Sequence, residues 1–200
     1  MNKPLQICPL RAVAALLLAA ASLATQAASI TLAGQIGYHN DVVQIDFTVA
    51  APGTVTLWTD SWQGGLNVDP LLSLFNADFS LRSVNDDNDS VGAGQGYYDA
   101  GLSLALAGGT YHLVLTAASN EAVGPLLGNG FTYSADAPIR LADWVQPSSN
   151  INLGDQKGGA WQVHLTGVSQ AGLVPEPGSS ALLLAGLLAL GALAARRRNG

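Results

Sequence analysis

Residues 43–49, with the sequence VQIDFTV, show the clearest periodicity in the chain. Apolar side chains occupy every odd position of this segment, and polar side chains occupy every even position. A period of two is typical of a β-strand that has one face in the core and one face toward water. The segment therefore predicts a half-buried strand and indicates a protein with at least one two-faced sheet.

Short segments of the same kind follow along the chain, and turn residues separate them. Further strands are predicted at 54–59, 71–75, 102–106, 111–115 and 161–166, with another beginning near Phe79 and Leu81. Turns such as Ala51-Pro52-Gly53 and Ala107-Gly108-Gly109 lie between them. Residues 118–159 are less regular, and 131–133 is a candidate short strand within them. Without any convincing helical stripe between 29 and 172, the pattern favours an all-β sandwich.

The central part of the chain is strongly acidic. Between residues 29 and 174 there are three basic and thirteen acidic residues, a formal net charge of −10. Such a surface repels phosphate backbones, so we expect no nucleic-acid partner. The single cysteine, Cys8, lies outside this part, which has the length of one domain. Core burial must therefore stabilise it without disulfides.

Residues 1–28 have the three parts of a secretory signal peptide. Lys3 and Arg11 give a positive start, an apolar run occupies 12–24, and small residues follow. We predict a signal helix that directs the chain to the Sec translocon and is removed after Ala27 or Ala28. The alternative is an uncleaved anchor, although the apolar run is short for a membrane span.

Residues 173–200 form a second candidate targeting segment, at the C-terminal side of the chain. Pro175, Glu176 and Pro177 precede an apolar run from 179 to 195, and Arg196, Arg197 and Arg198 follow it. The run is just long enough for a single transmembrane helix. The arginines should remain cytoplasmic, and the prolines should keep the chain outside the membrane extended.

This tripartite tail resembles the PEP-CTERM sorting signal. The resemblance implies transient insertion in the inner membrane of a Gram-negative bacterium that exports an exopolysaccharide. It also implies that an exosortase recognises the tail and cleaves near the Pro-Glu-Pro motif. The alternative is an ordinary C-terminal anchor that is never cut. We divide the chain into a signal peptide (1–28), an ectodomain (29–172) and a sorting signal (173–200).

Part of the ectodomain also resembles a known family. The matching features, in chain order, are Asp46-Phe47 with Val49, 53–57 (GTVTL), 69–75 (DPLLSLF), 85–87 (NDD) and 106–111 (LAGGTY). In this order they resemble the pre-peptidase C-terminal domains and related extracellular modules. The resemblance implies a jelly-roll-like β-sandwich that acts as a non-catalytic appendage, with polymers or calcium as ligands in some members.

The best candidate site is the acidic stretch after the predicted fourth strand. Calcium prefers carboxylate and amide oxygens clustered on a loop. The candidate ligands are Asp86, Asp87 and Asp89, with Asp69 and Asp99 closing the shell from either side. The helix–loop–helix calcium spacing is not met. The alternative interpretation is a solvated turn, because Asp and Asn favour turns through local hydrogen bonds.

Aromatic side chains give a second candidate site. Trp58 falls on the strand face opposite Val55 and Leu57, and Trp62 lies in a Gly-rich segment. Flat exposed aromatics stack on sugar rings, so both are candidate glycan contacts. The alternative is that they fill the core or its rim, as large aromatics usually do.

Enzymatic chemistry is not indicated by any local motif. His39, His112 and His164 stand alone, without metal-ligand spacing, and there is no nucleophile-elbow motif. We therefore expect an exported, non-enzymatic protein of the cell surface or extracellular matrix, associated with exopolysaccharide in a biofilm. No cofactor other than calcium is expected. A carbohydrate-binding module and an accessory domain of a secreted hydrolase are the alternatives.

Overall fold

The structure, a computed structural model, describes residues 28–146 and 157–175. These residues form nine β-strands and two short 3₁₀ helices, at Gln63–Gly65 and Leu127–Asn129. The strands are β1 (Ala28–Gln35), β2 (Val43–Val49), β3 (Gly53–Thr59), β4 (Pro70–Phe75), β5 (Leu81–Asn85), β6 (Gly101–Leu106), β7 (Gly109–Ala117), β8 (Ala160–Val168) and β9 (Gln170–Leu173). Across the described part of the chain, none of the helices has the length and apolar character needed to cross a bilayer.

Two antiparallel sheets pack as a sandwich. The first sheet has the strand order β1-β8-β3-β6, and the second sheet has the order β5-β4-β7-β2-β9. Strands β1 to β4 alternate between the two sheets, so each connection crosses from one layer to the other. The predicted all-β sandwich is confirmed. The predicted signal helix within 1–28 and the transmembrane helix at 179–195 lie outside the described residues.

The period of two in β2 places its odd residues in the core. Ile45, Phe47 and Val49 are buried, whereas the even residues of the strand are only half-buried. Opposite them across the pairing with β7, Tyr111 stacks on Phe47 with ring centroids 5.5 Å apart. This cross-strand pairing belongs to one core that both sheets share.

Strands β4 and β7 do not follow the simple alternation. Every residue of β4 is buried, and β7 is buried from Tyr111 to Ala117. A second, smaller apolar cluster explains this, since Phe75 and Val114 pack against Phe131 on the outer face of the sheet. The irregular segment that contains Phe131 therefore covers this face of the sandwich and hides it from water.

The sequence did not reveal two of the strands. β1 begins at Ala28, where the signal-peptide pattern ends, so its own alternation was obscured. β9 has only four residues, three of them exposed and one of these a glycine, which gives almost no periodic signal. Conversely, residues 131–133 form no strand, and only an isolated bridge joins Phe131 to Ala122.

Candidate functional site

The loop between β5 and β6, residues 86–100, is here called the acidic loop. It has a defined conformation because amide side chains hold its backbone. The Oδ1 atom of Asn85 accepts a hydrogen bond from the Gly101 nitrogen at 2.6 Å. The Oε1 atom of Gln95 accepts from the nitrogens of Val91 and Gly92 at 2.9 and 2.7 Å. These side-chain bonds replace the ladder bonds that the loop lacks.

Glycines bring the acidic loop close to the first sheet. A Cβ on Gly92 would lie 2.1 Å from the indole of Trp58, and a Cβ on Gly101 would lie 2.6 Å from Val91. Real side-chain atoms do not tolerate such distances, so only glycine permits this packing. The loop therefore lies directly on β3 and β6.

Asp99 closes the acidic loop from the inside. It is fully buried, and its Oδ1 accepts hydrogen bonds from the Thr59 hydroxyl at 2.7 Å and from the nitrogens of Ser61 and Trp62 at 2.7 and 3.2 Å. Its Oδ2 accepts from the Gly96 nitrogen at 2.8 Å. Because three of these donors lie at or just after the end of β3 and the fourth lies in the loop, Asp99 connects the acidic loop to the end of β3.

Three of the five predicted calcium ligands are brought together. Asp69 lies just before β4, and Asp86 and Asp87 begin the acidic loop. Each offers an oxygen atom, and these three atoms lie within 4.8 Å of one another. Asp89 and Asp99 are not members of this group. We call Asp69, Asp86 and Asp87 the carboxylate cluster.

Asp69 is the buried member of the carboxylate cluster. Its residue surface is 2% exposed, and its Oδ1 has no hydrogen-bond partner among the described residues. Burial, followed by the charges of Asp86, Asp87 and Asp99, raises the pKa of Asp69 to about 8. An ionised carboxylate is therefore unfavourable here unless a cation accompanies it.

The pKa values of the two exposed members of the carboxylate cluster are raised as well. Desolvation, and then the charges of Asp87 and Glu121, raise the pKa of Asp86 to about 6. Desolvation also raises the pKa of Asp87. Like charges at short range resist simultaneous ionisation. The carboxylate cluster is therefore more stable with a bound proton or a bound metal ion than with three bare negative charges.

Two further side chains border the carboxylate cluster. The amide of Gln146 lies near enough to lower the pKa of Asp69 slightly, yet its geometry falls short of a hydrogen bond. Neither Oε1 nor Nε2 of Gln146 is paired within the described residues. The pKa of the Tyr98 phenol is raised, first by desolvation and then by the charges of Tyr97, Asp87 and Asp69. Gln146 carried no sequence signal, because it follows the cluster by some sixty positions.

The two tryptophans occupy different environments. Trp58 is half-buried, stacks on His164 with centroids 4.9 Å apart, and donates from its indole nitrogen to the Ala93 carbonyl at 3.3 Å. With Gly92 also against its ring, it offers little free surface. Trp62 meets Tyr98 edge to face at 5.0 Å, and Tyr98 meets Tyr97 in the same way at 4.8 Å.

A polar row that the sequence did not indicate joins β1 and β8 to Asp60, the residue just after β3. The Thr31 hydroxyl lies 2.9 Å from Nδ1 of His164, and Nε2 of His164 lies 3.2 Å from Asp60. In a hydrolase triad the hydroxyl faces Nε2 and the acid faces Nδ1, so the two ring nitrogens have exchanged partners here. With Trp58 stacked on its ring, the row orients His164 on the sheet.

The comparisons with known proteins identify the C-terminal tail. The family described as the PEP-CTERM protein-sorting motif matches residues 173–198. The chain thus carries this motif, which implies an exported protein that an exosortase sorts to the cell surface. No curated protein matches the chain. The resemblance to pre-peptidase C-terminal domains stays a prediction, and the sorting residues after Pro175 lie outside the described residues.

Proposed function

We propose that this chain is a non-enzymatic structural protein of the cell surface or extracellular matrix. It is delivered by exosortase processing and associates with exopolysaccharide in a biofilm. One observation carries the proposal: the sorting motif follows directly on a β-sandwich of two packed sheets. The motif match begins at residue 173, the last residue of β9.

The pairing of β9 supports the arrangement in which the sorting motif follows the β-sandwich. β9 pairs with β2 through the register Ile45–Leu173 to Thr48–Gln170, and the Val174 nitrogen then donates to the Gln44 carbonyl at 2.9 Å. Pro175 follows and has no N–H with which to continue the pairing. The described pairing of β9 with β2 therefore ends at the start of the sorting motif.

The topology is compatible with a structural module. The strand order 1-8-3-6 facing 5-4-7-2 is that of a jelly roll, to which β9 adds one edge strand. A fold of this type does not specify a function. Among the described residues, the polar groups with the most hydrogen bonds, such as Asp99 and Gln95, serve to hold loops in place.

The sorting step is tested in a host that has the exosortase. The full chain is compared with a variant in which Arg196, Arg197 and Arg198 are replaced by alanine, and with a Pro175→Ala/Pro177→Ala variant. We expect both to accumulate as unprocessed protein in the inner membrane. Arg140→Ala, which removes an exposed arginine of the body, is the matched control and should be processed normally. Mass spectrometry that finds Gly200 on released protein would refute the proposal.

A carbohydrate-binding module is the second candidate, and one observation favours it. Tyr97 is 67% exposed beside Tyr98 and Trp62, so an aromatic group borders the acidic loop. Glycan-array binding that is lost on Tyr97→Ala or Trp62→Ala, but kept on Tyr38→Ala, would favour it over a structural role. Trp58→Ala should have little effect on binding. Enhanced polymer turnover when the chain is added to a secreted hydrolase would instead support an accessory role.

A further inference from the structure

We propose that Asp69, Asp86 and Asp87 form a calcium site, and that the amide oxygen of Gln146 completes its protein ligands. The inference goes beyond the proposed matrix function and does not depend on the sorting route. It narrows the sequence-based set of five aspartates to three, and it adds a ligand from a segment that the sequence left without a role.

The spacing of the carboxylate oxygens admits a calcium ion. Because the three atoms lie within 4.8 Å of one another, an ion at their centre is at most about 2.8 Å from each. Calcium binds oxygen at roughly 2.3–2.6 Å, whereas magnesium requires roughly 2.0–2.1 Å and an octahedral shell. Even at this upper limit, a contraction of a few tenths of an ångström suffices for calcium, and the two exposed carboxylates can supply it. Water molecules would complete the six to eight oxygens that calcium prefers.

The buried oxygen of Asp69 is a second, independent indication of a ligand. A buried polar atom without a partner is costly, and native structures seldom retain one without a reason. Asp69 is 98% removed from solvent, and its Oδ1 is unpaired among the described residues. The same is true of both amide atoms of Gln146 next to it. A cation satisfies the Asp69 oxygen, and the Gln146 amide, whose NH₂ group faces that carboxylate and lowers its pKa, would turn its oxygen to the ion.

No basic side chain within the described ranges takes the place of the cation. The ion pairs in those ranges all use histidine, namely His39 with Asp136, His112 with Asp46, and His164 with Asp60. The carboxylate cluster has none, and the charge of Glu121 acts on Asp86 as well. Several uncompensated acids around one buried oxygen match a doubly charged ion in both charge and ligand type.

The site would connect three separate parts of the chain. Asp69 lies at the entry to β4, Asp86 and Asp87 lie at the start of the acidic loop, and Gln146 lies after the segment that covers the second sheet. Calcium at this point holds the loop and that segment against the sandwich. An extracellular module of this kind binds calcium with a dissociation constant of roughly 10⁻⁴–10⁻³ M.

The test measures calcium binding and calcium-dependent melting of the full chain, purified in detergent and freed of metal. Calcium at 10 mM should raise the melting temperature by about 3 °C or more for such an affinity. Magnesium at equal ionic strength should give a smaller rise. Terbium, which replaces calcium, should luminesce on excitation of the aromatic group at Tyr98 and Trp62, and calcium should quench that signal by competition.

Variants distinguish calcium binding at a specific site from general screening of the acidic surface by the added ions. Asp86→Asn and Asp87→Asn alter exposed side chains, so the protein should fold and lose the calcium shift; the affinity should fall about tenfold or more. Asp89→Asn is the matched control, since it removes the same charge from the same loop outside the cluster. The proposal fails if the parent shows no shift, if Asp89→Asn loses as much as Asp87→Asn, or if magnesium matches calcium.

Discussion

Asp99 provides the sharpest test of how the acidic loop is held. We predict that Asp99→Asn destabilises the fold by about 3 kcal/mol and does so equally with and without calcium. The asparagine keeps Oδ1, which accepts from Thr59, Ser61 and Trp62, but it presents an NH₂ group to the Gly96 nitrogen. One bond is lost and two donors then face each other.

The magnitude follows from the bonds that change. Hydrogen bonds to a charged group contribute about 1.5–3 kcal/mol, neutral ones contribute about 0.5–1.5, and an unpaired buried group costs about 1–3. Three weakened bonds and one lost bond at a fully buried site exceed 3 kcal/mol if they are added. The repulsion between Asp99 and Asp69, which the variant removes, offsets part of this loss. The remainder is a large fraction of a typical stability of about 5–15 kcal/mol.

The assay is urea unfolding of the full chain followed by tryptophan fluorescence, once with a calcium chelator and once with calcium. Asp89→Asn serves as the control and should unfold like the parent in both conditions. A loss below about 1 kcal/mol for Asp99→Asn would show that its four bonds contribute little. A loss that appears only with calcium would show instead that Asp99 is a ligand, and either result would refute the reasoning.

Three further predictions concern packing and titration. Gly92→Ala should lower stability by about 1–3 kcal/mol in thermal melts, because its Cβ would meet the Trp58 ring at 2.1 Å; Gly128→Ala, with open space around it, should not. Leu113→Ala, at a fully buried position, should cost about 2–5 kcal/mol in urea unfolding with an unchanged m-value. Without calcium, the melting temperature should fall as pH rises from about 4 to about 8. Folding raises the pKa of Asp69 from 3.8 to about 8, so the folded state holds a proton that the unfolded chain has released. Asp69→Asn should flatten this dependence.

The fold could be predicted where burial differs between the two faces of a strand. β2 shows this, since its odd residues enter the core and its even residues do not. In β7 the same alternation would place His112 in water, but that residue is 6% exposed, with Phe79 stacked on its ring at 4.3 Å. The stacking residue comes from a distant turn, and no local period records such a contact.

The candidate site could be predicted in part for a related reason. The run of acids in the sequence indicates Asp86 and Asp87, and Asp69 precedes the same predicted strands. Local sequence could not distinguish Asp99 from Asp87, because the difference lies in the donors supplied by Thr59 and Ser61 across the fold. Gln146 gave no signal at all, since an amide on an irregular segment is common.

The last hydrogen bond of the folded body has a consequence for maturation. It joins Val174 to Gln44, and the chain after Pro175 contributes none of the bonds described for the sandwich. Severing the backbone beyond that proline leaves every one of those interactions intact. Under the exosortase processing that we propose, a cut after Pro175 would therefore leave the pairing of β9 with β2 in place.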